Sequence, residues 1–184
     1  MPELLNQLSK MNTNKSVSKN EIFNEIKKCI EANNYTIVEM DNDRPWGSYF
    51  KFNNSEADAF IKEFFPGLSL VEARLGNDKA ELSPKILLVS PNQRLSWQYH
   101  NRRAEIWAFL NDGAYNKSLT DNEGEVQTVG ASHVVQFSAA ERHRLIGCAT
   151  TYSLVAEIWQ HIDSNNMSDE NDIVRLQDDY NRNS

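Results

Sequence analysis

The pattern of hydrophobic and polar positions divides the chain into a helical first part and a strand-rich remainder. In residues 18–34, "SKNEIFNEIKKCIEANN", apolar side chains recur with the period of a helix, and Ser18 and Glu21 have the spacing of a capping box. The short β-branched run "YTIVEM" that follows predicts a strand. A second helix is predicted over residues 56–65, where apolar side chains again share one face.

From about residue 69 to residue 160, short β-branched, aromatic and aliphatic runs alternate with turn clusters. The candidate strands are "LSLVEARL", "KILLVS", "RLSWQYH", "EIWAFL", "GAYNKSLT", "EVQTVG", "SHVVQFS", "RHRLIG" and "TYSLVAEIWQ". Strands at this spacing, with no helical pattern between them, indicate an antiparallel sandwich or a closed barrel. The fold class predicted from the pattern is therefore all-β, with an added N-terminal helix and an inserted helix.

Both ends of the chain are polar. Residues 1–17 are rich in Asn, Ser and Lys, so they are interpreted as a mobile or loosely docked tail. The acidic C-terminal run contains "ENDIVRLQDDY", for which a short helix is predicted. The expected organisation is a tail and helical arm over residues 1–42, and a β domain with an acidic tail over residues 43–184.

Composition limits the partners and the compartment. The 19 Lys and Arg against 26 Asp and Glu give a net charge of −7, which argues against binding a nucleic-acid backbone. No apolar run approaches the roughly 18 residues of a membrane span, and the first residues are not signal-like. Cys29 and Cys148 lack a metal-type spacing, so a disulfide framework is not expected. We expect a cytoplasmic protein with neither nucleic acid nor membrane as a partner.

The stretch "LSWQYHNRRAEIW", residues 95–107, carries the candidate chemistry. In a strand over residues 94–100 side chains alternate, so Gln98 and His100 share the face opposite the apolar one. A second strand starting near Glu105 would bring that carboxylate to the same point, and His143 of "RHRLIG" could supply a fourth ligand. Imidazole, carboxylate and amide groups suit zinc, iron, manganese or nickel. The alternative is a chance polar cluster on an ordinary strand.

Four stretches also carry a family resemblance. They are "RPWGSY" at 44–49, "PKILLVSP" at 84–91, the stretch 95–107, which matches LS-x-Q-x-H-x-H-R-x-E-x-W, and the closing segments "HRL", "AEIWQ" and "DIVRLQDDYNR". Over about residues 43–182 the chain resembles the cupin-type (type II) mannose-6-phosphate isomerases. The resemblance implies a cupin jelly roll, an aldose–ketose isomerase ancestry and a divalent metal, with zinc the first choice. The implied ligands are Gln98, His100, Glu105 and His143.

Three departures from the family pattern stand out. Arg102 occupies the position of the second histidine in the family's H-x-H pair, and residues 138–140 read Ser-Ala-Ala where the family has a Pro-x-Gly turn. Residues 53–83 look like an insertion that carries the second helix. We hypothesise that a cation at position 102 raises the positive charge beside the metal, which would favour a more anionic ligand and discourage metal occupancy.

The residues receive roles from the chemistry of sugar-phosphate isomerisation, which moves a proton between adjacent carbons and needs a base and a nearby positive charge. Glu157 in the apolar run "LVAEIWQ" is the candidate base, and an ordinary ion pair with an arginine is the alternative. Lys85 is a second catalytic candidate. The candidate ligands of the substrate, chiefly of its phosphate, are Arg44, Arg102, Arg103, Arg144 and Arg175.

Three functions remain open from the sequence. The first is a metal-dependent isomerase of a small sugar phosphate, either mannose-6-phosphate-like or a heptose phosphate. The second is an epimerase or another cupin reaction on a nucleotide sugar, because one barrel hosts many chemistries. The third is a catalytically silent sugar-binding cupin that acts as a sensor or accessory protein. A homodimer is expected. His133 and His161 are interpreted as surface or packing residues, and Trp159 is interpreted as a core or dimer contact.

Overall fold

The computed structural model describes residues 3–182, in which two antiparallel sheets are accompanied by helices. The strands are β1 (Ile37–Asp41), β2 (Gly47–Phe52), β3 (Lys85–Val89), β4 (Trp97–Tyr99), β5 (Arg103–Phe109), β6 (Gly113–Ser118), β7 (Gln127–Val129), β8 (Val134–Phe137), β9 (Arg142–Ile146), β10 (Ser153–His161) and β11 (Val174–Gln177). The α-helices are α1 (Glu3–Ser9), α2 (Lys19–Ala32), α3 (Ala57–Phe64) and α4 (Leu70–Ala73), and a 3-10 turn spans Asn54–Glu56.

The strands form a jelly roll of two sheets. The six-stranded sheet has the order β1-β2-β3-β10-β5-β8, and the five-stranded sheet has the order β11-β4-β9-β6-β7. Large apolar side chains of both sheets meet between them, among them Trp107 and Phe137 of the first and Tyr115 and Leu145 of the second. The prediction of an all-β jelly roll with added helices is confirmed.

The helices cover the outer face of the six-stranded sheet. Every residue of β3, β5 and β10 is buried, because one face of these strands meets the other sheet and the opposite face meets the helices. Phe23 of α2 stacks on Phe50 of β2, with ring centroids 4.5 Å apart. Within residues 3–182, none of the helices combines the length and apolar character that crossing a bilayer requires.

The two predicted helices are present. Ser18 and Glu21 form the capping box of α2, with each side chain bonded to the other residue's backbone N–H, which satisfies two of the free donors at the helix start. The second helix starts one residue later than predicted, because a 3-10 turn over Asn54–Glu56 precedes it, and its last helical residue is Phe64.

The interpretation of residues 1–17 as a mobile or loosely docked tail is wrong for the helical part. Residues 3–9 form α1, whose Leu4 and Leu8 are fully buried against the helices and the sheet. The Leu5 backbone N–H donates to a carboxylate oxygen of Glu63 on α3 at 2.9 Å. Two apolar residues four apart give a weak sequence signal, and their burial depends on partners far along the chain.

Two further elements differ from their predictions. "LSLVEARL" contains a helix, α4, because Ser69 and Glu72 form a capping box that outweighs the β-branched character of the run. "ENDIVRLQDDY" contains strand β11, which pairs with the edge of β4 in a register that sets Val174 opposite Tyr99. Sheet pairing of this kind overrides a local helical pattern.

We predict that Leu8→Ala lowers the free energy of unfolding by about 2–5 kcal/mol, the usual cost of truncating a fully buried leucine. Leu119→Ala is the matched control, because Leu119 is 80% exposed, and it should change stability by less than about 0.5 kcal/mol. Urea denaturation followed by circular dichroism measures both. Equal effects of the two substitutions would show that α1 is not docked in solution.

Candidate metal centre and cavity

A buried group of two histidines and one glutamate lies between the two sheets. His100 directly follows β4, Glu105 belongs to β5, and His143 belongs to β9. The His100 Nε2 atom is 3.1 Å from Glu105 Oε1, and the His143 Nε2 atom is 3.4 Å from Glu105 Oε2. One ligand atom from each of the three residues lies within 4.8 Å of the others, and all three side chains are buried.

Both imidazoles are oriented by backbone carbonyls. The His100 Nδ1 atom is 2.5 Å from the carbonyl oxygen of Asp172, and the His143 Nδ1 atom is 2.9 Å from that of Glu141. A carbonyl only accepts hydrogen bonds, so Nδ1 must carry the proton in both rings. In the neutral rings Nε2 therefore presents a lone pair toward the Glu105 carboxylate.

Two lone-pair nitrogens that face a carboxylate fit a bound cation. Burial lowers the pKa of His100, which favours the neutral ring over the imidazolium. The His143 Nε2 atom is buried and has no hydrogen-bond partner within residues 3–182. A divalent cation would satisfy both nitrogens and the carboxylate, and two imidazoles with one carboxylate form a donor set that zinc and similar ions accept.

The Glu105 carboxylate also has a positively charged neighbour. Arg103 donates from Nε to Glu105 Oε1 at 2.9 Å, and its second terminal nitrogen is 3.3 Å from His100 Nε2. Burial alone would raise the pKa of Glu105, yet the guanidinium of Arg103 donates to the carboxylate and helps to hold its pKa well below its usual range. The carboxylate is therefore ionised at neutral pH.

Gln98 lies beside this group in the register that the sequence predicts. It is the residue of β4 directly opposite His143 of β9, and its side chain lines the cavity described below. The Ser96 hydroxyl donates to Gln98 Oε1 at 2.5 Å. The structure thus brings Gln98, His100, Glu105 and His143 to one place, which is the convergence on which the predicted ligand set depends.

A cavity of about 400 Å³ opens beside the buried group. Its lining combines cations, carboxylates and aromatic rings: Glu39, Arg44, Trp46, Tyr49, Lys85, Leu87, Leu95, Ser96, Gln98, Arg103, Glu105, Glu157, Trp159, Glu170, Ile173, Arg175 and Arg182. The volume is within the range of about 300–1,000 Å³ that is typical of small-molecule sites.

Glu157, the predicted base, faces this cavity next to Glu105. The Trp107 Nε1–H group lies between the two carboxylates, 3.2 Å from Glu105 Oε2 and 3.1 Å from Glu157 Oε2. Burial and the negative charge of Glu105 raise the pKa of Glu157 to about 7, although Lys85 opposes the shift. Two carboxylates one indole apart thus have different proton affinities at neutral pH.

Lys85 and Trp159 form the wall next to Glu157. The Lys85 Nζ atom is 3.7 Å from Glu157 Oε1 and 3.2 Å from an oxygen of Glu170. Lys85 Nζ and the Arg103 guanidinium carbon lie 4.0 Å and 3.8 Å from the centre of the Trp159 ring system, which is cation–π distance. Trp159 is therefore a cavity residue that holds two cations, a role that the sequence analysis did not assign to it.

Three arginines line the outer part of the cavity. Arg44 and Arg175 were predicted as substrate ligands, and Arg182 was not. Arg44 pairs with Asp41 at 2.9 Å, and Arg182 forms a bidentate pair with Asp178. Burial lowers the pKa of Arg175, and the charges of Arg182 and Arg44 lower it further. These cations are therefore close enough to repel one another.

The structure does not bring Arg102 or Arg144 to the cavity. Arg102 projects from the β4–β5 turn, and its guanidinium donates to the Met167 carbonyl at 2.8 Å. The hypothesis that Arg102 adds positive charge beside the candidate metal centre therefore has no geometric support. Arg144 alternates with His143 along β9 and points away, where it donates to Glu123 at 2.7 Å. The alternation of β9 could have excluded Arg144 from the sequence alone.

Apart from Arg175, sequence reasoning missed the contribution of residues 163–182, which we call the C-terminal strap. Asp172 of the strap contacts His100, and Glu170 of the strap pairs with Lys85. His161, interpreted as a surface or packing residue, is buried: its Nε2–H donates to the Glu81 carbonyl at 2.6 Å, and its Nδ1 accepts from Ser168 N–H at 2.9 Å. It anchors the first part of the strap. Acidic and basic residues that alternate in this way usually form exposed ion pairs, so the sequence gives little indication that this segment makes buried contacts.

Comparisons with known proteins give the fold. No family model matches the chain, and no curated protein matches it. A structure of the capsular polysaccharide assembling protein CapF from Staphylococcus aureus has a TM-score of 0.51 and 14% identity, and the match covers 86% of this chain and 38% of that one. A Klebsiella pneumoniae protein with a double-stranded β-helix domain has a TM-score of 0.40 and 10% identity over 51% of this chain and 73% of that one.

A candidate sugar phosphate isomerase from Acidithiobacillus ferrooxidans has a TM-score of 0.39 and 15% identity, over 45% of this chain and 51% of that one. The chain spans little more than a third of the length of the CapF structure. At these identities the likeness concerns the fold alone. Together with the two antiparallel sheets, the match to CapF supports a jelly-roll fold, and the buried His–Glu group within it could bind a metal.

We predict that Glu157→Gln changes the pH dependence of stability. The folded chain binds the Glu157 proton up to a pH of about 7, whereas an ordinary carboxyl releases it near 4.5. The wild type should therefore lose stability relative to the variant as the pH rises from 4.5 to 7, and the difference should stay constant above pH 7. Urea denaturation of chelator-treated protein measures this difference. A difference that does not vary with pH would mean that Glu157 ionises like an exposed carboxyl.

Proposed function

We propose that this chain is a metal-dependent aldose–ketose isomerase that acts on a sugar phosphate, either mannose-6-phosphate-like or a heptose phosphate. The observation that carries the proposal is the placement of Glu157, a carboxyl with a pKa of about 7, in a cavity next to a buried group that can hold a cation. Acid–base catalysis at neutral pH needs such a group, since its pKa allows it both to take and to return a proton.

Glu157 has the surroundings of a proton-transfer residue. Its oxygens accept from the Nε1–H groups of Trp107 and Trp159, at 3.1 and 3.3 Å, which fixes the carboxylate plane relative to the cavity. Lys85 lies 3.7 Å away and stabilises the ionised form before the proton is taken. In this proposal Glu157 removes a proton from one carbon of the sugar and returns it to the adjacent carbon, while the hydroxyl proton passes from one of the two sugar oxygens to the other.

The buried group provides the positive charge that the reaction requires. When bound, a divalent cation with zinc-like preferences would polarise the adjacent oxygens of the sugar and stabilise the enediolate charge. His100, Glu105 and His143 would hold it, and Gln98 is the fourth candidate ligand. Arg103 remains next to Glu105 as a second positive charge beside the reacting oxygens.

The outer arginines suit the phosphate end of the substrate. A guanidinium presents several donors in one plane, which matches the oxygens of a phosphate. Arg175 is half-buried on β11 beside the charges of Arg44 and Arg182, so a bound dianion would relieve their mutual repulsion. The cavity volume of about 400 Å³ accommodates one monosaccharide phosphate between these arginines and Glu157.

One observation favours a second function, a catalytically silent sugar-binding cupin. The Arg103 guanidinium already neutralises Glu105 and contacts His100 Nε2 at 3.3 Å, so a cation is present next to the ligand atoms without any metal. In that case the cavity would bind a sugar phosphate without turning it over. Chemistry at the sugar carbons separates the two functions.

We predict that zinc-loaded wild-type protein catalyses incorporation of deuterium from heavy water into C1 or C2 of a hexose or heptose phosphate. Glu157→Gln should lower the rate by about 10²–10⁴-fold, the usual contribution of general base catalysis, and chelator treatment should abolish it. Mass spectrometry and NMR of a panel of sugar phosphates measure the label. Binding of these phosphates without any label in the wild type would establish the silent sugar-binding alternative.

We also predict that Arg175→Gln weakens binding of a sugar phosphate by about 10- to 100-fold, the value of a charge-assisted contact of roughly 1.5–3 kcal/mol. Binding of the same sugar without its phosphate should change little. Arg142→Gln is the control, because Arg142 pairs with Asp121 outside the cavity. Isothermal titration calorimetry measures the affinities. A loss that is equal for phosphorylated and free sugar would place the phosphate elsewhere.

A further inference from the structure

Asp172 of the C-terminal strap contacts the candidate metal centre through both its backbone and its side chain. Its carbonyl oxygen is the acceptor 2.5 Å from His100 Nδ1, and it also lies 3.3 Å from a terminal nitrogen of Arg103. Its carboxylate accepts the backbone N–H groups of Asn101 and Arg102, each at 2.9 Å. One residue thus contacts the β4–β5 turn and the adjacent side chains at several points.

The side chain of Asp172 is itself held in place. Only 5% of the residue is exposed, and the Ser168 hydroxyl donates to its Oδ2 atom at 2.7 Å. The Asp172 pKa is lowered despite its burial, because Ser168 and the two turn N–H groups donate to the carboxylate. A buried carboxylate with three donors has one stable orientation, which also determines where its own carbonyl points.

The carbonyl has a direct consequence for His100. Because it accepts from Nδ1–H, it stabilises the tautomer in which Nε2 is free of a proton and faces Glu105. Loss of this contact would let the ring place its proton on Nε2, where it would bond to the Glu105 carboxylate and close the position to a cation. Outer contacts of this type orient the ligands of metal sites in general.

We propose that Asp172 is the positioning residue of the cation site: its carboxylate holds the turn that follows His100, and its carbonyl keeps the His100 ring in the metal-binding tautomer. The proposal rests on the cation site of the proposed function and does not depend on the isomerase reaction. It assigns a role to the C-terminal strap, which supplies no ligand to the His–Glu group and instead orients one of its histidines.

The test compares Asp172→Asn with Asp169→Asn. An asparagine at position 172 has the same size, but an NH2 donor replaces one of the two oxygens, and each oxygen accepts from a different turn N–H group. Asp169 belongs to the same strap, and its carboxylate contacts Arg102 without touching Asn101 N–H or His100. Zinc alone is titrated into chelator-treated protein in competition with a chromophoric chelator. We expect Asp172→Asn to weaken zinc binding by about 10- to 100-fold and Asp169→Asn to leave it within about twofold.

A second readout does not involve metal. Nitrogen-15 NMR of the imidazoles in chelator-treated protein should show His100 as the Nδ1–H tautomer in the wild type and in Asp169→Asn, and a mixture of tautomers in Asp172→Asn. If Asp172→Asn does not fold, Ser168→Ala replaces it, because it leaves Asp172 unchanged and removes the hydroxyl that donates to its carboxylate and accepts from Arg103. This milder variant should weaken zinc binding several-fold and broaden the His100 signals.

The proposal is overturned if the folded Asp172 or Ser168 variant binds zinc like the wild type and keeps a single Nδ1–H tautomer. It is also overturned if the wild type binds no zinc, or if Asp169→Asn loses as much affinity as Asp172→Asn. Failure of the isomerase reaction is a separate result, because a wild type that binds zinc but transfers no deuterium would leave the role of Asp172 intact.

Discussion

The ionised carboxylate of Glu105, buried between the two sheets, is the constraint on which the rest of the site depends. A buried charge is costly unless it is paired and hydrogen-bonded, so its neighbours must come from every side. The adjacent Arg103 supplies one positive group from the same strand. His100 and His143 approach from two strands of the opposite sheet, which requires the jelly roll to close at this point.

The same interior gives different pKa values to two glutamate side chains that are chemically identical, Glu105 and Glu157. Glu105 accepts directly from a guanidinium and stays ionised. Burial and the charge of Glu105 outweigh the effect of Lys85 and Arg103 on Glu157, which keeps its proton to a pH of about 7. Environment thus keeps one carboxyl group ionised and leaves the other able to exchange a proton near neutral pH. The spacing of the two carboxylates is fixed by strand pairing, because Glu105 lies on β5 and Glu157 lies on β10. This pairing sets Glu157 opposite Trp107.

Much of the site could be predicted from the sequence because strand geometry is local. Alternation along residues 94–100 and a turn before Glu105 are sufficient to predict which side chains point inward. The contact between Asp172 and His100 could not be predicted, since the two residues are 72 positions apart in the chain. The sequence analysis also failed to predict the docking of α1 and the pairing of β11, because each element is stabilised by partners distant in the chain.

The carboxylates of Glu105 and Glu157, which share the Trp107 indole N–H, are close enough for their charges to couple proton release to cation uptake. A divalent ion on Glu105 would cancel the negative charge that raises the pKa of Glu157, so the loaded site would hold its proton less tightly. The converse must hold to the same extent: deprotonation of Glu157 strengthens the attraction for the ion. The affinity of this site for a divalent cation would therefore rise as the pH rises through about 7.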